Sequence, residues 1–168
     1  MHTVNLRSFR QIARQNKKRI RSFLTRLEKK TPRGLDPIAK ESDKAVWLGT
    51  NCLDCANCCK TMSPTYTSKD VIRISTYLDM TQKDFREKWL RKDKTGDWVN
   101  VSKPCQFLDP QSNMCKIYPV RPEDCAGFPH HTKKRMLDYM HVFKQNIEYC
   151  PATYRMVEEI AKRVKTTS

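Results

Sequence analysis

The sequence predicts a mainly α protein with a small β-hairpin, in which a long basic N-terminal helix and a C-terminal helix flank an irregular, cysteine-rich domain. Three observations support this fold class. Apolar residues recur at three- and four-residue steps near both ends of the chain, which is the period of an amphipathic helix. All eight cysteines lie between those two stretches. Prolines and turn-forming residues interrupt the segments that carry most of the cysteines.

The N-terminal helix is predicted to run from Thr3 to Lys30 and to be both amphipathic and basic. Its apolar positions follow the helical period: Leu6, Phe9, Ile12, Ala13, Ile20, Phe23, Leu24 and Leu27. Residues 1–33 contain eleven Lys or Arg and one acidic residue, Glu28, and so carry +10 of the formal net charge of +15. Pro32 and Gly34 then end the helix.

Three further helices are predicted from the residues that can begin them. Thr67 or Ser68 caps the first. Thr81 caps the second, with Asp84 three residues later as in a capping box. Pro151 begins the C-terminal helix, because proline suits the first position of a helix.

One strand and one hairpin complete the predicted secondary structure. Trp98–Val101 alternates in the manner of a strand. Residues 106–108 and 114–118 flank a turn-rich insert, and we expect them to form a small hairpin that carries Cys105 and Cys115.

The chain is thereby divided into four segments. They are a basic amphipathic helical arm at residues 1–33, a linker with a short apolar segment at 34–50, a cysteine-cluster domain at 51–150 and a C-terminal helix at 151–168. The linker interpretation rests on Pro37, which lies inside that stretch.

A run of four cysteines with the spacing C-x2-C-x2-C-C is the most specific feature of the sequence: Cys52, Cys55, Cys58 and Cys59. Two intervening residues let a tight turn direct successive thiolates to a common point, as in zinc sites and iron–sulfur binding runs. Neighbouring side chains normally diverge, so we expect Cys58 and Cys59 to serve different metal atoms, or one of them to be a non-ligand. Simple apolar packing does not suit this polar run.

The other four cysteines occur singly, at Cys105, Cys115, Cys125 and Cys150. With the run above and the segment Ile117–Cys125, which reads Ile-Tyr-Pro-Val-Arg-Pro-Glu-Asp-Cys, they make residues 52–150 resemble the CxxCxxCC cysteine-cluster family, the YkgJ-like zinc- or iron-chelating domain. The resemblance implies metal binding without fixing the metal or an activity. A similar cysteine segment in flagellin lysine methylases resembles an iron–sulfur appendage. The basic arm lies outside the family motif.

All eight cysteines are candidate metal ligands, and two metal chemistries remain open. Structural Zn²⁺ takes four thiolates or imidazoles, so eight cysteines would fill two sites. A [4Fe–4S] cluster also takes four thiolates. Its first three would be Cys52, Cys55 and Cys58, and one of the four later cysteines would complete the set. His130 and His131 are expected at the surface or beside the ligands.

Several function classes are disfavoured by composition. With only four glycines and no Gly-rich phosphate loop, a nucleotide-binding enzyme is not expected. A catalytic thiol would need a base such as His130, His131 or His141, and nothing in the sequence positions one. From the sequence we expect neither a signal peptide nor a transmembrane segment, and hence a cytoplasmic protein with reduced cysteines.

Two hypotheses about function follow. In the first, a cysteine-ligated metal centre, structural or redox, is combined with a basic helix that docks on RNA or a ribonucleoprotein, because clustered Lys and Arg neutralise phosphates. In the second, the chain is an iron–sulfur redox or metal-handling accessory protein for an enzyme partner. A membrane-surface helix and a merely solvated charged face are the alternatives for the arm.

Overall fold

A computed structural model describes residues 4–166 and confirms the predicted fold class. The helices are α1 (Leu6–Lys29), α2 (Leu35–Trp47), α3 (Cys52–Cys55), α4 (Asn57–Thr61), α5 (Ser68–Tyr77), α6 (Gln82–Trp89), α7 (Glu123–Gly127), α8 (Met140–Asn146) and α9 (Pro151–Thr166). The strands are β1 (Leu90–Lys92) and β2 (Trp98–Asn100), and short 3-10 turns cover Tyr118–Val120 and Leu137–Tyr139. Among these helices, none has the length and apolar character needed to cross a membrane.

The chain divides into two compact units. The first contains Met1–Cys55 and Pro129–Ser168, and the second contains Ala56–Phe128. The first unit therefore holds α1, α2, α3, α8 and α9, and the second holds the remaining helices and both strands. The four-segment division made from the sequence stays a prediction.

Helix α1 begins and ends within a few residues of its predicted bounds, and Thr3 lies outside the described residues. Asn5 caps it by accepting a hydrogen bond from the backbone N–H of Ser8 at 3.0 Å. Its apolar face is buried and packs against α8 and α9: Phe9, Ala13, Ile20, Leu24 and Leu27. The predicted amphipathic period is therefore the one that the first unit uses to bury this helix.

Ion pairs also hold α1 to its neighbours. Glu148 accepts from Lys17 at 2.9 Å and from Arg21 at 3.3 Å. Arg19 pairs with Glu158 of α9, and Glu28 pairs with Lys144 of α8. Part of the basic charge of the arm is thus neutralised inside the first unit.

Residues 34–50, interpreted from the sequence as a linker with a short apolar segment, are mostly helical. Helix α2 runs from Leu35 to Trp47 and packs mainly against α9. Pro37 lies in its first turn, where backbone N–H groups have no partner within the helix, so the missing N–H of proline removes no hydrogen bond. Leu35, Ala39, Ser42 and Val46 form the buried face.

The second unit has its own apolar core, formed by Tyr66, Val71, Ile74, Phe85, Leu90, Phe107 and Ile117. Both predicted caps are confirmed. Thr67 and Asp70 form a reciprocal capping box at α5, and Thr81 accepts from the backbone N–H of Asp84 at α6. Asp70 also accepts from the backbone N–H of Glu123 at 3.0 Å, which fixes the start of α7 beside α5.

The small hairpin forms at a different place from the predicted one. Strands β1 and β2 pair antiparallel, with Leu90 opposite Asn100. Asp93 holds their turn by accepting from the backbone N–H groups of Thr95 and Asp97, and Gly96 supplies a φ of +86°. Residues 106–108 and 114–118 pair through an isolated antiparallel bridge between Leu108 and Cys115 and a hydrogen bond from the Lys116 backbone N–H to the Phe107 carbonyl at 2.8 Å, but they form no strands. The strand predicted at Trp98 is confirmed.

Candidate metal centre

The eight cysteines are distributed over both units, and none of them forms a disulfide bond. The first unit holds Cys52 and Cys55 on α3 and Cys150 directly before α9. The second unit holds the other five: Cys58 and Cys59 on α4, Cys105 and Cys115 in the irregular segment, and Cys125 on α7. Cys52 is exposed, Cys55 and Cys150 are buried, and the other five are half-buried.

The adjacent pair converges instead of diverging. The sulfur atoms of Cys58 and Cys59 lie 4.0 Å apart. They follow Ala56, which precedes α4 with a φ of 46°, in the left-handed region that a non-glycine residue seldom adopts. The hydrogen bond from Cys58 is the main reason that the pKa of Cys59 is lowered to about 7, and its own backbone and Lys60 add to this effect.

Three more cysteines of the second unit lie near Cys59. The backbone N–H of Cys105 donates to the carbonyl of Cys59 at 2.8 Å. Cys115 follows through its bridge to Leu108. Cys125 lies on α7, whose Asp124 accepts from the backbone N–H of Thr65 at 3.2 Å. Four segments of the second unit thus each place one thiol in the region around Cys59.

The thiols of this region influence one another electrostatically. Burial raises the pKa of Cys125, and the nearby Cys59 and Cys105 raise it further. Burial also raises the pKa of Cys105, with Cys59 adding to the shift. The pKa of Cys115 is raised in the same way, by burial and then by Cys105 and Cys59. We call Cys59, Cys105, Cys115 and Cys125 the thiol cluster.

A buried polar network lies beside the thiol cluster. The carbonyl oxygen of the Asn100 side chain accepts from the Tyr66 hydroxyl at 2.6 Å and from Gln106 Nε2 at 3.1 Å. Burial raises the pKa of Tyr66, and Cys105, Cys125 and Cys115 add to that shift, so its hydroxyl group stays protonated beside the thiols. Asn100 is buried, and its amide Nδ2 has no partner in hydrogen-bonding geometry.

Comparison with known proteins decides the family. A model of the CxxCxxCC family, described as "Putative zinc- or iron-chelating domain", matches residues 51–151, which include all eight cysteines. The chain belongs to the CxxCxxCC family. An uncharacterized protein of Methanocaldococcus jannaschii is 33% identical over 90 residues. The match covers 52% of this chain and 48% of that protein, so the chain spans about half the length of the relative. No solved structure matches the chain.

The donor set of the second unit agrees with the metals named for the CxxCxxCC family. Zinc and iron–sulfur clusters are both held by four thiolates, and the thiol cluster supplies four. The unpaired Nδ2 of Asn100 adds a donor that a thiolate could accept from. Within residues 4–166, no three Cys, His, Asp or Glu side chains already converge as ligands of one ion do.

The cysteines of the first unit have a different environment. Cys150 precedes α9, and its sulfur accepts from the Thr153 hydroxyl and from the backbone N–H groups of Thr153 and Ala152, as a helix cap does. Burial nevertheless raises the pKa of Cys150, and the nearby Cys55 adds slightly to this shift. Cys55 and Cys150 are therefore neighbours within this unit.

His131, expected at the surface or beside the ligands, is buried. Its Nδ1 lies 2.7 Å from Asp43, and its Nε2 lies 2.9 Å from the Thr153 hydroxyl. Trp47 donates to the same Asp43 oxygen at 2.8 Å. Thr153 is fully buried, and this line of side chains lies mostly in the interior of the first unit. No sequence signal identified it, because its members lie far apart along the chain.

Proposed function

We propose that the chain is a metal–thiolate protein whose centre is the thiol cluster, holding zinc or an iron–sulfur cluster that organises the irregular part of the second unit. The proposal is supported by the position of Cys59, Cys105, Cys115 and Cys125 on four segments. The Cys105 backbone bonds to Cys59, Cys115 pairs with Leu108, and the thiols lie near enough to shift one another's pKa. Few regular elements connect residues 101–122, so four sulfur–metal bonds would add cross-links that the backbone lacks.

Cys58 is a fifth candidate in the same unit. Two sulfurs on one tetrahedral zinc ion lie about 3.8 Å apart, since each Zn–S bond is about 2.3 Å. The 4.0 Å separation of Cys58 and Cys59 is close to that value. Because the sulfurs of the cluster do not yet converge, binding requires side-chain rotations that select four of the five. Cys52, Cys55 and Cys150 remain proposed ligands of metal in the first unit.

Anaerobic purification with elemental analysis and an optical spectrum tests this proposal. We expect zinc without colour, or iron and sulfide with a broad visible absorbance. Absorbance that bleaches on reduction would favour the redox alternative over a structural centre. Single Cys→Ser variants of Cys58 and of the thiol cluster rank the five candidates by metal content. Full metal content in all four cluster variants would contradict the centre.

We also propose that the exposed side of α1 docks on RNA. Arg7, Arg10, Arg14 and Lys18 are exposed at steps of three, four and four residues, which places them on one face of the helix. The ion-paired Lys17, Arg19 and Arg21 are engaged within the first unit. The four exposed residues, called the basic stripe, supply charge for a phosphate backbone.

Charge-neutral substitutions test the basic stripe, because deleting α1 would remove part of the core of the first unit. The quadruple variant Arg7→Gln, Arg10→Gln, Arg14→Gln, Lys18→Gln is compared with a control that loses four exposed lysines elsewhere, Lys69, Lys94, Lys103 and Lys133. For single-stranded RNA, we expect the stripe variant to reduce the slope of log K against log salt by about 3, at roughly 0.7 per lost phosphate contact.

The four-lysine control distinguishes binding by one face of α1 from a general effect of net charge. Equal weakening in both quadruple variants would show that only net charge matters and would contradict the stripe. Binding of wild-type protein to anionic vesicles but not to RNA would replace RNA with a membrane surface as the partner.

A further inference from the structure

The orientation of the Asn100 side-chain amide is fixed by a chain of hydrogen bonds. Gln106 Nε2 donates to the backbone carbonyl of Trp89 at 3.0 Å, and a carbonyl accepts only from a donor. The same nitrogen lies 3.1 Å from Asn100, so the Asn100 atom facing it must be the oxygen. The Tyr66 hydroxyl donates to that oxygen at 2.6 Å. The Nδ2 group of Asn100 therefore points away from both partners.

The Asn100 amide nitrogen is buried beside Cys105. Asn100 is 2% exposed, and its Nδ2 has no partner in hydrogen-bonding geometry. Asn100 lies close enough to the Cys105 sulfur to oppose the raising of that thiol's pKa by burial. A buried amide without an acceptor costs free energy, and native proteins seldom keep one without a reason.

A neutral thiol is a weak acceptor, whereas a metal-bound thiolate carries negative charge and accepts N–H groups well. The neutral thiol of Cys105 thus gives Nδ2 of Asn100 only a weak hydrogen-bond acceptor, whereas the metal-bound thiolate gives it a good one. Residues that hydrogen-bond to metal ligands orient them and tune affinity.

We infer that Asn100 is a positioning residue of the thiol cluster, which donates a hydrogen bond from Nδ2 to the Cys105 thiolate when metal is bound. Tyr66 and Gln106 hold the amide in that orientation from the other side. The inference rests on the proposed thiol cluster and goes beyond it, because it assigns a non-ligand residue to the metal-bound state.

The direct test loads the full-length protein with ¹¹³Cd and asks whether an Asn100 side-chain amide proton couples to the metal through the hydrogen bond. We expect a proton–cadmium correlation that assigns to Asn100 and disappears in Asn100→Ala. Cadmium bound through Cys105 with no such coupling would overturn the inference.

Cobalt(II) loading provides a second readout. A hydrogen bond lowers the energy of the sulfur electrons, so its loss should move the sulfur-to-cobalt charge-transfer band to longer wavelength. We expect this shift, and a roughly 10- to 100-fold loss of cobalt affinity, in Asn100→Ala and Asn100→Asp. The two variants bracket the effect, because Ala removes the donor and Asp adds repulsive charge.

A matched control is Ser63→Ala, which removes the hydroxyl that accepts from the backbone N–H of Asn100 at 2.9 Å but leaves its side chain intact. We expect wild-type band position and affinity within twofold. An unshifted band with wild-type affinity in both Asn100 variants would overturn the inference while leaving the thiol cluster intact. If cobalt gave no charge-transfer band in wild-type protein, or Cys105→Ser bound cobalt as well as wild type does, the thiol cluster itself would fail.

Discussion

Cys59 differs from the other members of the thiol cluster in the direction of its pKa shift. Its pKa is lowered to about 7, chiefly by Cys58, whereas burial raises the pKa of Cys105, Cys115 and Cys125. Only thiolates bind metal, and they are also the nucleophilic form. In the proposed centre, Cys59 would therefore be the first of these residues to contact an incoming ion at neutral pH, and the others would lose protons on binding.

We predict that Cys59 of reduced, metal-free protein is alkylated before Cys105, Cys115 and Cys125, with a rate that rises through about pH 7. Iodoacetamide labelling followed by fragment-ion mass spectrometry measures each site. In Cys58→Ala the hydrogen bond to Cys59 is lost, so the midpoint should move to higher pH. An unchanged midpoint in that variant would show that Cys58 does not activate Cys59.

The buried His131 makes a second prediction, which concerns acid stability. Burial lowers the pKa of His131, and the bond to Asp43 only partly opposes this shift. The unfolded chain then binds a proton more readily than the folded one. The stability that neutral His131 contributes is fully present above pH 6.5, the ordinary pKa of histidine, and is lost as the pH falls below that value.

Urea unfolding between pH 5 and 7.5 tests the direction of this pH dependence. The free energy of unfolding of wild-type protein should fall below pH 6.5, and His131→Gln should flatten that part of the curve. At pH 7 the variant should lose about 1–3 kcal/mol, because buried hydrogen-bond partners are left unpaired. The exposed His141→Gln should keep the wild-type slope; a flattened slope there would assign the effect to surface charge.

Helices were predicted from the sequence more successfully than loops, for physical reasons. Helix α1 shows its period over 24 residues, and the caps at Thr67 and Thr81 are local chemistry. Helix α2 was missed because a proline inside a short stretch resembles a break, although a first-turn position tolerates it. The hairpin was misplaced because the turn-rich residues 109–113 indicated a turn between residues 106–108 and 114–118, whereas the pairing of β1 with β2 depends on the Asp93 turn.

The packing of α1 supports a prediction about stability. Leu24 is fully buried, whereas Ile12 of the same helix is 45% exposed. We expect Leu24→Ala to reduce the free energy of unfolding by about 2–5 kcal/mol, and Ile12→Ala by less than about 1 kcal/mol. Urea denaturation measures both. Equal losses would mean that α1 is not held by its predicted apolar face.

Metal-binding chemistry was predictable from the sequence, whereas the grouping of thiols in the proposed centre was not. Eight cysteines at these spacings indicate metal binding, and the family match agrees with that. The three-ligand run of Cys52, Cys55 and Cys58 stays a prediction, and the proposed centre instead groups Cys59 with three later thiols. Which later thiols gather at Cys59 depends on contacts such as Cys105 to Cys59, between residues far apart in sequence. No sequence pattern indicated Asn100, because its position beside Cys105 also depends on the tertiary structure.

The two units rely on different sources of stability, and metal removal should separate them. The first unit buries the faces of α1, α2, α8 and α9. The second has one small apolar core, with Cys105 and Cys115 packed against it. A bound structural zinc contributes about 10–16 kcal/mol in small zinc-binding peptides. We therefore predict that a chelator under reducing conditions abolishes amide-exchange protection over residues 101–128 and leaves that of α1 and α9 largely unchanged.

Hydrogen exchange read by mass spectrometry measures both regions in one sample. Adding back Zn²⁺, or reconstituting an iron–sulfur cluster, should restore protection over residues 101–128 in wild-type protein but not in Cys125→Ser, which loses a cluster thiol from α7. Cys52→Ser, whose exposed thiol is a proposed ligand only in the first unit, is the matched control, and its protection over residues 101–128 should recover as in wild type. Full protection of residues 101–128 in metal-free protein would show that the apolar core alone holds this segment, because no sulfur–metal cross-link would then be needed.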